Sequence, residues 1–280
     1  MSLSELSLNA DLIDTLGNVF ASYGSDIRRY KMAFMKRRLD RRMRILEIND
    51  YSEYASILRK ERHEFDELVT SLSINVTSFF RDFMVYDKFK SYVIPKILSS
   101  LKQKEKIRVW SAGCASGEEA YSLAILFEHA VGKNFNVEII ASDVNKKAIE
   151  YAQNGTYPAK SIEKLPMEFI INNFHKINNQ DNNVEYQVAS HIKNLVTFQV
   201  GDILSNRVTQ VDAIFCRNVL IYYEKETQEL IMEKFNHCLK DGGYMALGMD
   251  ETMLGRRCEK LFYPLMPRER IYQKAVLTNS

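Results

Sequence analysis

The stretch Val109-Trp-Ser-Ala-Gly-Cys-Ala-Ser-Gly-Glu-Glu119 decides how this chain folds. It ends a short β-prone run, Ile107–Trp110, turns through small residues and opens a helix predicted over Glu118–Val131. In an α/β sheet, a strand passing through such a turn into a helix start marks the ligand crevice at the strands' carboxyl ends. The glycines Gly113 and Gly117 are spaced GxxxG, not the GxGxxG of dinucleotide folds. Glu118 and Glu119 stand where the helix begins. A pyrophosphate needs that terminus free, because its bare N–H groups and positive dipole end hold the anion. Two carboxylates there repel phosphate and suit a ligand with a cationic amino-acid end. S-adenosylmethionine (SAM), with its ammonium and sulfonium, has that chemistry; NAD does not.

Downstream of this stretch, β-prone runs alternate with helices. Val137–Ala141 precedes a helix around Lys146–Gln153, and Leu195–Val200 and Asp212–Cys216 precede a helix near Thr227–Cys238. Gly243–Leu247 follows an Asp241-Gly-Gly turn. The alternation predicts a parallel, doubly wound α/β sheet. The Asn-rich Ile171–Ser190, with a short strand at Val184–Val188, interrupts it and reads as an inserted subdomain. Two acids follow strand ends. Asp143 suits either a ribose or the cap of the next helix, and Asp202, in Gly201-Asp-Ile203, suits an adenine amino group. Together at successive strand ends they favour an adenosyl cofactor.

The chain has 280 residues, 46% hydrophobic and 26% charged, enough for two domains or one with an appendage. Gly 11 and Pro 5 exclude collagen-like and long disordered architectures. No apolar run reaches the roughly 18 residues of a membrane span, and the first turns are too acidic for a signal peptide. Cys114, Cys216, Cys238 and Cys258 form no CxxC pair, so reduced thiols and a cytoplasmic location are expected. The histidines show no metal-ligand spacing, and no metal is expected. Residues 10–23, 30–46 and 51–60 read as helices, the last opened by a capping box from Asp50 to Glu53. Nine basic residues from Arg28 to Arg44 face Asp40 alone, so this stretch carries +8 of a net +2 and leaves −6 elsewhere. Met35, Leu39, Met43 and Leu46 form its apolar stripe, with Arg37, Arg41 and Arg44 opposite. An uncompensated basic face points to an acidic partner: nucleic acid, anionic lipid or a carboxylate-rich protein.

Four segments together resemble the CheR family of chemotaxis-receptor glutamate O-methyltransferases: Asn75-Val-Thr-Ser-Phe-Phe-Arg81, Val109–Tyr121, Ala141-Ser-Asp143 and Ile214-Phe-Cys-Arg-Asn-Val-Leu-Ile-Tyr222. The similarity runs from the basic helix to Glu269-Arg-Ile-Tyr272. It implies an all-helical domain over 1–74, a linker over 75–90 that contributes to the cofactor site, and a class I, Rossmann-like methyltransferase domain over 91–280. The inserted β-subdomain would lie near 171–194. One departure is Gly248-Met-Asp-Glu251, where many relatives resemble Gly-His-Ser-Glu.

By the same resemblance, SAM is the cofactor, and Asn75, Thr77, Arg81 and Gly113 should line its site. Glu118 should take its ammonium, Asp143 its ribose, and Asp202 with Ile203 its adenine. Arg217 and Asn218 should line the transfer region, with Tyr222, Arg81 and Arg217 as the catalytic set. Lys36, Arg37, Arg38, Arg41, Arg42 and Arg44 should recognise the acidic methylation helices on the cytoplasmic side of receptors. In some relatives the subdomain also docks a receptor C-terminal peptide. A glutamate acceptor is ionised at neutral pH, its ordinary pKa being about 4.3, so no general base is required. A nucleic-acid methyltransferase is the rival reading, but Cys216-Arg-Asn-Val219 replaces the small-polar-Pro-Pro-aromatic loop of base amino-methylases and lacks the Pro-Cys context of cytosine C5 enzymes. The intact Glu118, Asp143 and Asp202 count against a non-catalytic adaptor.

Overall fold

The computed structural model describes residues 10–22, 26–72, 77–101, 105–132, 135–178, 183–253 and 256–275. The chain forms two compact units, Met1–Ile74 with Tyr222–Gln228, and Asn75–Ile221 with Glu229–Ser280.

The smaller unit is helical: α1 (Ala10–Ser22), α2 (Met32–Ile45), α3 (Tyr51–Lys60) and α4 (Arg62–Leu72). Asp50 caps α3 by accepting the Ser52 N–H. Phe34, Met35, Leu39 and Met43 are the buried stripe of α2. Leu46, expected in that stripe, lies past the helix end and is exposed, because α2 stops at Ile45; Phe34, in the first turn, joins the stripe instead. Residues Tyr222–Gln228 belong to this unit and not to the sheet unit that precedes them in sequence. The Lys31 N–H donates to the Tyr222 carbonyl at 2.8 Å and the Glu224 N–H to the Arg29 carbonyl at 2.9 Å. Tyr223 stacks on Tyr30 with ring centroids 4.8 Å apart.

The larger unit opens with α5 (Phe83–Lys88), a π-helical turn (Phe89–Val93) and α6 (Ile94–Ser100). The expected linker thus runs into continuous helix, whose Val85, Tyr86, Phe89, Val93, Ile94 and Ile97 are buried in the unit's core. The main sheet follows from β1 (Lys106–Ala112), α7 (Glu118–Val131), β2 (Asn136–Asp143) and α8 (Lys146–Asn154). A second, antiparallel sheet contains β3 (Thr156–Pro158), β4 (Phe174–Asn178) and β5 (Val184–Val188), with short α9 (Ala159–Ile162) and α10 (Met167–Asn173) between the first two strands. This subdomain starts at Thr156, earlier than the Asn-rich composition suggests. Then come α11 (Ser190–Lys193), β6 (Val196–Val200), β7 (Val211–Cys216), α12 (Lys225–Cys238, which belongs to this unit from Glu229 on), β8 (Leu239–Leu247), α13 (Arg256–Leu261), β9 (Phe262–Met266) and β10 (Ile271–Lys274).

The main sheet has the order β6-β2-β1-β7-β8-β10-β9. From β6 to β8 the pairings are parallel; β10 and β9 add an antiparallel edge that the alternation of strands and helices did not announce. Every residue of β7 is buried, as befits a strand covered on both faces. The chain winds outward from β1 through β2 to β6, then restarts at β7 on the other side of β1. That reversal opens a crevice beyond the carboxyl ends of β1 and β7, the usual ligand position in such sheets.

Candidate active site

The turn after β1 is held by its neighbour. The N–H groups of Gly113 and Cys114 donate to the Ser142 carbonyl at 2.8 and 3.0 Å. Asp143 accepts the Ala115 N–H on one oxygen and the Asn145 N–H on the other, both at 2.9 Å. Asn145, not Asp143, caps α8. The turn needs its glycines for two reasons. Gly113 and Gly117 have φ of +85° and +94°, and a Cβ would lie 2.5 Å from Val219 Cγ2 at the first and 2.7 Å from Ala152 Cβ at the second.

Glu118 opens α7 and is only 7% exposed. Its carboxylate accepts the Ser116 hydroxyl at 2.7 Å. Burial raises its pKa above the ordinary glutamate value, and the Ser116 bond only partly opposes this. Among the described residues no cationic side chain is paired with it. A desolvated carboxylate without a counter-ion, at the mouth of the crevice, fits the ammonium of SAM and would repel a phosphate. Asp202 follows β6, nearly buried, and takes the Leu204 N–H at 2.9 Å, with Ile203 buried beside it. The Gly201 N–H donates to the Asp143 carbonyl at 2.9 Å, tying the ends of β6 and β2 together. Glu118, Asp143 and Asp202 therefore stand on three linked turns along one edge of the sheet.

The end of β7 carries a buried charge network. Arg217 pairs with Asp82 at 2.6 Å, lies 3.9 Å from Glu119, and places its guanidinium 5.5 Å from the Tyr86 ring centroid. Ser111 donates to Glu119 at 2.7 Å. Burial works against the Arg217 charge, but Tyr86, Glu119 and Asp82 outweigh it, and its pKa rises. The guanidinium is thus engaged with protein carboxylates, although its Nε is buried without a partner. Phe80, Asp82 and Asn218 all have positive φ, +50°, +54° and +60°, uncommon for non-glycine residues and concentrated around this network. The Phe80 N–H donates to Ser122 Oγ at 2.9 Å, and the Ser122 hydroxyl donates to the Glu118 carbonyl at 2.6 Å. That chain joins the segment carrying Arg81 to the start of α7. Arg81 is half-buried and near enough to Glu119 to favour its charged form, and Thr77 is also half-buried. Asn75 lies outside the described residues.

In the helical unit, the basic face of α2 divides. Arg42 forms a two-point ion pair with Glu64, at 2.9 and 2.5 Å, and the Tyr54 hydroxyl adds a 2.6 Å bond to the same carboxylate. Lys36 pairs with Asp40 at 3.0 Å, Asp40 also takes the Tyr51 hydroxyl, and Arg44 donates to the Asp40 carbonyl at 3.2 Å. Lys36 and Arg42 are not the free cations that the charge run implies, and Arg42 in particular is a structural residue; Arg44, bonded to a neutral carbonyl, is exposed. Arg37 and Arg41 are exposed. Arg38 lies over the Phe34 ring at 5.1 Å, and Phe34 packs on Tyr222 at 4.8 Å. Arg38 Nε is buried without a hydrogen-bond partner. Its pKa is lowered by burial and by repulsion from Arg37 and Arg41. The sequence reading missed Glu64 and saw Glu119 only as a second carboxylate at the helix start, since neither lies at a spacing that betrays its partner.

The family model of the CheR methyltransferase SAM-binding domain matches residues 75–265, and that of the CheR methyltransferase all-alpha domain matches residues 12–73. The chain belongs to the CheR family. It is therefore a SAM-dependent methyltransferase, and the carboxylates described above belong to its SAM-binding domain. A chemotaxis protein methyltransferase of Borreliella burgdorferi is 30% identical over 85% of this chain and 87% of its own. One from Listeria innocua is 33% identical over 82% of this chain and 86% of its own. Among solved structures, the magnesium protoporphyrin IX methyltransferase of Synechocystis with bound SAM aligns with a TM-score of 0.37 and 16% identity, over 69% of this chain and 81% of that one. So slight a likeness carries no argument; the CheR assignment rests on the two family models and the curated relatives. Among the described residues, no helix is long and apolar enough to cross a membrane and no cluster could hold a metal ion.

Proposed function

We propose that this methyltransferase esterifies glutamate side chains on the cytoplasmic helices of chemotaxis receptors. The observation that carries the acceptor side is the part of the α2 face left unneutralised. Once Lys36 and Arg42 are paired, Arg37 and Arg41 remain exposed beside Arg38, whose buried Nε lacks an acceptor. An acidic protein helix supplies carboxylates to the exposed Arg37 and Arg41, and Tyr222, held on Phe34 in the same unit, supplies a hydroxyl to orient a carboxylate.

On the donor side, Glu118 takes the ammonium end, Asp143 the ribose and Asp202 with Ile203 the adenine. Gly113 lets the turn approach the ligand, and Thr77, Arg81 and Asn218 border it. Bound SAM supplies an electrophilic methyl group on a sulfonium. An acceptor carboxylate oxygen would take that methyl as the carbon–sulfur bond breaks, which would leave a methyl ester and a neutral thioether. Both charges are lost together, so a water-poor site favours the reaction. The acceptor is already ionised, and the protein's task is alignment and not proton removal. Arg217, tied to Asp82, acts in this reading by holding the residues 80–82 segment in place. The edge strand β4 of the small sheet is the surface on which a receptor C-terminal peptide would add as a further strand.

The test uses SAM labelled in the methyl group, with receptor fragments and nucleic acid offered separately. Label on the receptor that is released by alkali is the expected result. Alkali-stable label, or transfer to nucleic acid, overturns the proposal.

A further inference from the structure

Glu251 has no part in the roles assigned so far, yet it is among the most heavily bonded side chains described. It is 3% exposed. One carboxylate oxygen accepts the N–H groups of Gly248 and Asn218 at 2.6 and 2.9 Å, and the other those of Val219 and Leu220, both at 2.7 Å. Three of these donors are consecutive residues of the turn that leaves β7. Such a run of N–H groups can converge only if the backbone curls, and Asn218 at the start of the curl has φ +60°. A non-glycine residue in that region carries a backbone cost, which persists where surrounding bonds hold it. The carboxylate is that hold. It also fixes what the turn touches, since Val219 packs against the place where a Cβ on Gly113 would stand.

Gly248 provides a second, independent line. A Cβ there would lie 2.7 Å from the Asn218 nitrogen and 2.7 Å from Glu251 Oε2. The turn after β8 is therefore fitted to the turn after β7 at backbone contact, with the carboxylate as the joint. Burial raises the Glu251 pKa, and the four N–H bonds, which favour the charged form, oppose that shift.

We infer that Glu251 is a positioning residue for methyl transfer: it sets the Asn218–Leu220 turn against the glycine turn of β1 and so places Asn218 at the cofactor. This rests on the assignment of the crevice to SAM. A glutamine at this position keeps the size but offers only one oxygen, and its amino group points two further hydrogens at N–H donors. Alanine at Gly248 pushes the same turn from the opposite side.

The experiment compares full-length wild type with Glu251→Gln, Glu251→Asp and Gly248→Ala. In the SAM-free proteins, amide hydrogen exchange at Asn218, Val219 and Leu220 is measured, and direct SAM binding is followed by calorimetry. Steady-state methylation of a receptor fragment gives kcat and KM. Faster exchange confined to that turn is expected, with weaker SAM binding and a fall in kcat on the order of a hundredfold from misplacement. The KM for receptor should stay constant, and Glu251→Asp, which keeps the charge, should be intermediate. Folded variants with faster exchange but unchanged SAM affinity and kcat overturn the inference and leave Glu251 a purely structural residue. If Glu251→Gln does not fold, Gly248→Ala and Glu251→Asp decide on the same readings. Wild-type protein that fails to bind SAM would instead remove the underlying site assignment.

Discussion

At Glu118, chemistry and position can be separated by experiment. The carboxylate is buried and, among the described residues, has no cationic partner, so its pKa is raised and its charge is held at a cost. An arriving ammonium offsets that cost through a charge-assisted hydrogen bond, a contribution of roughly 1.5–3 kcal/mol. Glu118→Gln should therefore weaken SAM binding by about tenfold to a hundredfold in calorimetry, while the melting temperature of the SAM-free protein holds or rises. The pH dependence follows with its sign. SAM affinity is full above the raised pKa and falls as pH drops through it, starting at a higher pH than an ordinary glutamate would give. In the SAM-free protein the shift acts in the other direction: the burial cost is present above the raised pKa and is removed as pH falls toward the ordinary 4.5. Loss of the acid limb of SAM binding in Glu118→Gln confirms the assignment; an unchanged limb assigns it to another group. Glu118 was legible in the sequence because a carboxylate at a helix start has a local meaning. Glu119, its neighbour, was legible by position but not by its partners. Ser111 sits on β1 and Arg217 just past the end of β7, and only the folded sheet brings them together.

At the scale of an element, α2 shows where local reading succeeds and where it stops. Its apolar period and basic excess are visible in the sequence, and Met35, Leu39 and Met43 are buried accordingly, whereas Phe34 joins them and Leu46 does not. Neutralisation within four residues can be read as well, and Lys36–Asp40 is such a pair. Arg42–Glu64 cannot, because the partner lies on α4 and is set by how the helices pack. The two kinds of arginine should respond oppositely to substitution. Arg42→Ala leaves Glu64 buried and unpaired and should cost about 3–5 kcal/mol in chemical denaturation. Charge reversal at Arg37 and Arg41, both exposed, should leave stability and SAM affinity close to wild type while raising the KM for receptor. If Arg37 and Arg41 reversals lower the melting temperature as much as Arg42→Ala does, the division of the basic face is wrong. The same limit explains the antiparallel β9–β10 edge and the early start of the small sheet. Both depend on pairings between strands, which alternation along the chain does not encode.

Over the whole molecule, a net charge of +2 conceals two opposite arrangements. The cations proposed to meet the receptor are on the helical unit and exposed, whereas the carboxylates proposed to meet SAM are in the sheet unit and nearly buried. Salt distinguishes such sites. The screening length falls from about 10 Å at 0.1 M to about 3 Å at 1 M, which weakens attraction between exposed charges and affects desolvated ones far less. Raising the ionic strength should therefore increase the KM for receptor steeply while the dissociation constant for SAM changes little. Reversing Arg37 and Arg41 should remove a large part of the receptor's salt dependence together with its affinity, because Lys36–Asp40 and Arg42–Glu64 are already neutralised and the exposed Arg44 is left as the remaining surface cation of the set. Parallel loss of receptor and SAM affinity with salt would mean that one electrostatic surface serves both ligands. A receptor KM indifferent to salt would leave shape and apolar contact as the means of recognition, and the basic helix would then need another partner.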